Sequence, residues 1–271
     1  MATTGGLTNF SKDSYLNHFF GSTTKSVSTN YLGFTTGSSN ESGAGAEPFN
    51  GNYSRIPILP SLSNPVSGGK WENSVDIESP MASDNWGNIV GVALFDSSVG
   101  GNALVYWNLA SIEMVKRNGK LVILAGGLKH EFTDGLLSTY TQNLILENLY
   151  RQSSIPIFST LYHASYTTAA TAELPGTEPT VGDYARVAIA NNSSSWNLAS
   201  SGVKTNNNNY SYPKATADWG TLVNFGLHTE ASGGIYIAGG VYGTTEAPEP
   251  VEIKTNDELI IGAGQLTIKL Q

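Results

Sequence analysis

Trp86-Gly87-Asn88-Ile89-Val90-Gly91-Val92-Ala93-Leu94-Phe95-Asp96-Ser97-Ser98-Val99-Gly100-Gly101 decides the reading, because it returns 133 residues later. There it is Trp219-Gly220-Thr221-Leu222-Val223-Asn224-Phe225-Gly226-Leu227-His228-Thr229-Glu230-Ala231-Ser232-Gly233-Gly234. A Trp-Gly start, an apolar run and a closing Gly-Gly recur at one spacing, and self-similarity at a fixed period outranks other signals of architecture. Working outward, Pro80 and Ala82 answer to Pro213 and Ala215, and Tyr53-Ser54-Arg55 to Tyr184-Ala185-Arg186. Glu47-Pro48 answers to Glu178-Pro179, and Thr35-Thr36 to Thr167-Thr168. Near the ends, Asn118-Gly119 and Ala125-Gly126-Gly127-Leu128 align with Asn256-Asp257 and Ala263-Gly264-Gln265-Leu266. The chain reads as a tandem duplication, with a first β-domain over residues 1–133 and a second over 134–271.

Each half has the usual size of a domain and is expected to bury its own core. Within each, short β-branched and aromatic runs alternate with Gly, Ser, Asn and Pro clusters. The runs are 30–35, 53–59, 75–78, 88–95, 103–109 and 121–124, then 158–166, 184–190, 210–212, 222–227, 235–241 and 259–270. That spacing predicts antiparallel sheets of sandwich or barrel type, so the fold class is mainly β. Gly100-Gly101 and Gly233-Gly234 sit between runs as hairpin turns, where glycine takes positive φ at no steric cost. A short helix is expected to open each half. The first covers 11–20, with Ser11 as N-cap, Gly21 as left-handed C-cap and Leu16, Phe19 and Phe20 facing the domain. The second covers 136–151, with Leu137, Tyr140, Leu144 and Leu149 on one face.

Charged residues make up only 13% of the chain, so the surface is largely Ser, Thr, Asn and Gly. Net charge is −8, with 8 basic and 10 acidic side chains in residues 1–133 and 6 and 12 in 134–271. A nucleic-acid partner would need clustered cations, so that class is excluded. No apolar run approaches the roughly 18 residues of a membrane span. The N-terminus lacks the pattern of a signal peptide, which predicts synthesis in a cytoplasm. There is no cysteine, hence no disulfide or thiolate site.

Catalysis needs convergent titratable groups, and these do not recur. Of His18, His130, His163 and His228, three have no counterpart, and His228 stands where the first half has Phe95. Asp96 becomes Thr229, which argues against a paired acid. Glu246, Glu249, Glu252, Asp257 and Glu258 read as a solvated acidic edge. No catalytic, cofactor or metal residues are assigned and no cofactor is expected. The residues that do recur, Trp86, Gly87, Gly100, Gly101, Trp219, Gly220, Gly233 and Gly234, are markers of the fold, the tryptophans filling core at a strand entrance. Arg55 and Arg186 follow a tyrosine in a strand and are read as structural within each half or, less readily, as interface residues. Trp71, Trp107 and Trp196 have no counterpart, lie near loops and are read as partner contacts.

These markers give the chain a resemblance to a family of small tailed-phage proteins known as tail fibre or virion structural proteins. The pattern is a short helix, a strand ending in Thr-Thr, a Gly-x-Tyr-x-Arg strand, a Pro-x-Ala turn into Trp-Gly, an apolar run, Gly-Gly and a terminal Ala-Gly-x-Leu. The second half fits through Gly182-Asp183-Tyr184-Ala185-Arg186, Pro213-Lys214-Ala215 and Ala263-Gly264-Gln265-Leu266. The first departs at Asn52, which stands between Gly51 and Tyr53, and in a proline-richer 50–65. The resemblance implies a non-enzymatic structural protein on the outside of a virion, of tail-fibre or fibre-attachment type. Capsid decoration and a glycan-binding host-attachment module are the alternatives. Partners would be other virion proteins in a symmetric homo-oligomer, with a host surface glycan as a further candidate. The near-neutral first half is expected to anchor on the virion and the acidic second to face outward. On that reading, a cut at Gly135 would leave a first half that still joins particles.

Overall fold

The computed structural model describes residues 3–21, 23–133, 137–243 and 247–270. The first half runs β1 (Thr3–Leu7), α1 (Asn9–Phe19), β2 (Asn30–Thr35), β3 (Ile56–Ile58), β4 (Lys70–Glu72), β5 (Ile77–Glu78), β6 (Gly87–Phe95), β7 (Ala103–Val115), β8 (Val122–Ile123) and β9 (Lys129–Glu131). The second runs α2 (Thr139–Arg151), β10 (Thr160–Tyr166), β11 (Val187–Ala190), β12 (Val203–Thr205), β13 (Tyr210–Ser211), β14 (Gly220–Leu222), β15 (Asn224–His228), β16 (Tyr236–Val241), β17 (Val251–Ile253), β18 (Ile260–Ile261) and β19 (Thr267–Lys269).

The protein is mainly β and antiparallel, in two tandem copies. Sheet order is β1-β7-β6-β2-β3 in the first and β11-β10-β15-β16 in the second, and among the described residues no sheet closes into a barrel. Ribbons β4-β9, β5-β8, β12-β19, β13-β18 and β14-β17 cover the sheets. Their apolar residues Trp71, Ile77 and Ile123 share a core with Phe34, Val92 and Trp107 of the first sheet. β6 and β7 pair along their length, from Phe95↔Ala103 out to Gly87↔Val115. In the second copy that hairpin is split, and the equivalent outer segment is the separate ribbon Gly220↔Ile253. The cause is an insertion of five residues: Val115 and Ile253 are 138 apart where Gly87 and Gly220 are 133 apart.

The helices start earlier or later than their periodicity predicts. The N-cap of α1 is Thr8 rather than Ser11; its Oγ1 accepts from the Ser11 amide. The matching cap of α2 is Ser138, which accepts from Thr141. Gly21 has no positive φ. Glycine fits there because a Cβ would lie 3.0 Å from the Asn17 carbonyl oxygen and 3.2 Å from Lys204 Nζ. The left-handed C-cap occurs instead on α2, at Gln152 with φ 56°. In α2 the buried face is Ile145, Leu146, Leu149 and Tyr150, with Tyr140 turned to solvent. Leu136 lies outside the described residues, as do Asp134 and Gly135 on the second side of the expected boundary.

The expectation that each half closes its own core fails, and the helices are the reason. Helix α1 packs on β7 of its own sheet and on β12 of the other half; α2 packs on β16 of its own sheet and on β4 and the 3-10 turn Pro60–Leu62 of the first. One continuous apolar core runs through both halves.

Candidate functional site

Two constellations recur in both copies: a clamp around the Gly-Gly turn and the crossing of the helices. In the clamp, consecutive left-handed residues, Gly51 (φ 67°) and Asn52 (φ 60°), turn the chain so that the Gly51 carbonyl accepts from Trp86 Nε1 at 2.9 Å. Gly182 (φ 68°) and Asp183 (φ 58°) do the same for Trp219, also at 2.9 Å. The apparent departure at Asn52 therefore disappears, since Gly51-Asn52-Tyr53 matches Gly182-Asp183-Tyr184 in backbone turn and in the bond to tryptophan. Tyr53 meets Trp86 edge-on at 5.3 Å and 88°; Tyr184 meets Trp219 at 5.3 Å and 89°.

The tyrosine and arginine expected inside a strand lie just before it: 53–55 lead into β3 at Ile56 and 184–186 into β11 at Val187, and this approach carries Arg55 inward. Its guanidinium is bidentate to Glu47, with Nη2 to Oε2 at 2.6 Å, and Nη1 donates to the carbonyls of Ser97 and Gly100 at 2.6 and 2.7 Å. Arg186 repeats this with Glu178 (2.6 Å) and the carbonyls of Glu230 and Gly233 (2.7 Å each). Planar, bidentate pairing is what guanidinium does best. Burial pushes the Tyr53 phenol well up, and its hydrogen bond to Glu47 adds to that. Burial also works to raise Glu178, but the hydrogen bond and charge of Arg186 outweigh it and hold the carboxyl low. Asp96 and Thr229 finish the turn: each accepts the amide six residues on, from Asn102 at 2.7 Å and Ile235 at 2.9 Å.

The pairing of Thr35-Thr36 with Thr167-Thr168 is one residue out. Thr36 and Thr167 are the equivalents, bonding the carbonyls of Ala46 and Thr177 at 2.7 and 2.8 Å. Thr35 thus answers to Tyr166, whose hydroxyl bonds His228, the residue in place of Phe95. A threonine and a phenylalanine of the first copy are replaced in the second by a phenol bonded to an imidazole.

At the helix crossing, the backbone contacts are symmetric. The Gly69 amide donates to Asn143 Oδ1 of α2 at 2.9 Å, and the Gly202 amide to Asp13 Oδ1 of α1 at 2.7 Å. Asn30 Nδ2 reaches the Leu149 carbonyl and Asn191 Nδ2 the Phe19 carbonyl, at 2.7 and 2.9 Å. The side chains differ. In one crossing Trp71 stacks on Tyr150 at 3.7 Å and 8°, and Tyr150 bonds His130 Nδ1 at 2.8 Å. In the other, Phe20 meets Trp196 at 5.4 Å, and buried Lys204 donates to Asn17 at 2.6 Å. Burial brings the Lys204 ammonium down to about 8, against the pull of Asp13.

Trp71, Trp107 and Trp196 are therefore not loop-side contacts for a partner; they are 2, 3 and 2% exposed. Trp71 and Trp196 hold the halves together and Trp107 donates to the Lys129 carbonyl at 2.8 Å. Arg55 and Arg186 serve within their own copies. Trp86 and Trp219 are buried, and Gly100, Gly101, Gly233 and Gly234 all take positive φ. So do Gly87 and Gly220. All four histidines are buried. Among the described residues no cluster of three or more His, Asp or Glu is placed to hold a metal; Glu246 lies outside them. Among the described residues no helix is long and apolar enough to cross a membrane.

Sequence reading passed over Asn73 and Asn206, which explain the Ala-Gly-x-Leu motif. Asn73 Oδ1 accepts from Leu128, and its Nδ2 donates to the Val75 and Leu124 carbonyls. Asn206 bonds Leu266, Asn208 and Gly262 in the same way. The signal was there, since the two are 133 residues apart.

Among families of known proteins, the chain matches twice the one described as "Podophage GP4 fiber I protein gp80", over residues 6–131 and again over 136–269. It belongs to that family, as a phage fibre-type structural protein made of two tandem copies. No curated protein matches it.

Proposed function

We propose that this protein is a non-enzymatic structural part of a tail fibre or fibre attachment, exposed on the outside of the virion. The observation that carries the reading is where the recurring ionisable residues go. Glu47, Tyr53 and Arg55, like Glu178, Tyr184 and Arg186, are spent on bracing a turn. What duplication has kept is therefore a rigid scaffold. Its partners are other virion proteins, met through a polar, weakly charged surface that is used repeatedly under symmetry. The first copy docks and the more acidic second copy projects.

Cryo-electron microscopy of the intact phage tests the placement. Density for the chain belongs in the tail fibres with residues 1–133 innermost; the chain on the capsid lattice, or the second copy innermost, overturns it. Incubation with host surface glycans tests the absence of chemistry: released oligosaccharide would contradict it, and binding without release would favour an attachment role.

A further inference from the structure

Lys204 stands where the first copy has Trp71: Trp71 lies opposite His130 in β4-β9, and Lys204 opposite Ile268 in β12-β19. A lysine has thus taken a core position, and it is 2% exposed. Among the described residues no carboxylate forms an ion pair with it. Lysine is almost never fully buried unless it is paired. Its Nζ meets instead the side-chain amide of Asn17, on α1 of the other half, with Oδ1 at 2.6 Å.

That contact has the geometry of a reaction. A C=O bond is about 1.2 Å long, so Nζ stands within roughly 3.8 Å of Asn17 Cγ. This is close to the separation at which a held nucleophile attacks. The Ala199 amide donates to the same Oδ1 at 2.9 Å, where negative charge gathers when an amine adds to the carbonyl. Asp13, one turn earlier on α1, accepts from the Ser201 and Gly202 amides at 3.1 and 2.7 Å. It thereby pins the loop leading to Lys204 against the helix. Gly21 keeps the space open, since a Cβ there would lie 3.2 Å from Nζ. Burial brings Lys204 down to about 8, so roughly a tenth of it is the free amine at neutral pH.

We propose that Lys204 Nζ attacks Asn17 Cγ and joins the two side chains in an isopeptide bond, a self-made covalent link between the halves. The Nζ–Cγ bond forms, the Cγ–Nδ2 bond breaks, and a proton from Nζ leaves with Nδ2 as ammonia. No oxidant or further reactant is needed. Asn17 is only half-buried, which gives the ammonia a way out. An amide is a sluggish electrophile, so the freshly folded chain still holds ammonium and amide, and the bond forms on standing. The other crossing, with Trp71 against Tyr150, has neither amine nor amide. This goes beyond the fibre reading and does not depend on where the chain sits in the particle.

The test is to hold the full-length protein for several days at a pH above the Lys204 value and follow its intact mass. Trypsin digestion and tandem mass spectrometry then locate any link. The expected result is loss of one ammonia per chain, with a branched peptide joining Lys204 to Asn17 and no cleavage after Lys204. Asn17→Ala and Lys204→Met should each keep their full mass. An unchanged mass, or ammonia lost without the branched peptide, would overturn the proposal. So would the same loss in Lys204→Met, the mark of an asparagine cyclising on its own backbone. The first two readouts use the native chain and decide the matter even if a variant fails to fold.

Discussion

The two helix crossings do one job with opposite chemistry. Around Tyr150 the grip is aromatic, from Trp71 and His130; around Asp13 and Asn17 it is charged and polar, from Lys204 and two loop amides. What both crossings keep is a glycine amide aimed at a side-chain oxygen on the opposite helix. The lesson is that backbone geometry constrained the duplicated fold, while side chains drifted wherever a compensating neighbour was at hand. The clamp is the contrasting region: there the Arg–Glu pair, the two turn carbonyls it donates to and the Trp–Tyr geometry all recur, because a bidentate guanidinium tolerates no substitute.

The largest effect should come from testing that sameness. Arg55→Ala and Arg186→Ala each leave a part-buried carboxylate and two turn carbonyls without their donor, at a cost of about 3 kcal/mol. Denaturant unfolding should give equal losses within about 0.5 kcal/mol; a difference above about 1.5 would break the equivalence of the clamps.

Acid comes next. Burial lowers His130 and His228 to about 4 and His163 to about 3. Their folded pKa values lie below the unfolded value of roughly 6.5, so the unfolded chain binds more protons in between. Their contribution is intact above pH 6.5 and is lost as pH falls toward 4. His228→Phe, which copies Phe95, should flatten the slope of stability against pH in that window by about one proton's worth. An unchanged slope would show that His228 does not titrate on unfolding.

Lys204 gives the smallest change, in the opposite direction. An ammonium buried beside a neutral amide is poorly compensated, and Asn17 Oδ1 keeps the Ala199 amide as donor. Lys204→Met should stabilise the protein by about 1 kcal/mol, read as a raised denaturant midpoint. A loss of similar size would mean that the charge holds Asp13 in place.

The β class, the turns and both copies were legible because Trp-Gly, Gly-Gly and Gly-x-Tyr-x-Arg each answer to a local demand, a large core side chain or a positive φ. The crossing of the helices was not. It depends on pairings more than a hundred residues apart, such as Tyr15 with Asn148, which no periodicity encodes. A trace was present in the doublets Tyr15-Leu16 and Phe19-Phe20, mirrored by Ile145-Leu146 and Leu149-Tyr150. They make an apolar stripe too wide for one sheet. Trp71 and Trp196 misled because lacking a counterpart looks the same in sequence whether a residue meets a partner or its own other half; Trp107, also without a counterpart, is spent inside its own copy on the Lys129 carbonyl.

Differential scanning calorimetry of the intact chain tests the shared core most directly. With α1 and α2 each bridging both halves, neither copy can melt while the other stays folded. The account predicts one transition with equal calorimetric and van't Hoff enthalpies, on the order of 190 kcal/mol at about 0.7 kcal/mol per residue. Two resolved transitions, each carrying about half that heat, would contradict it.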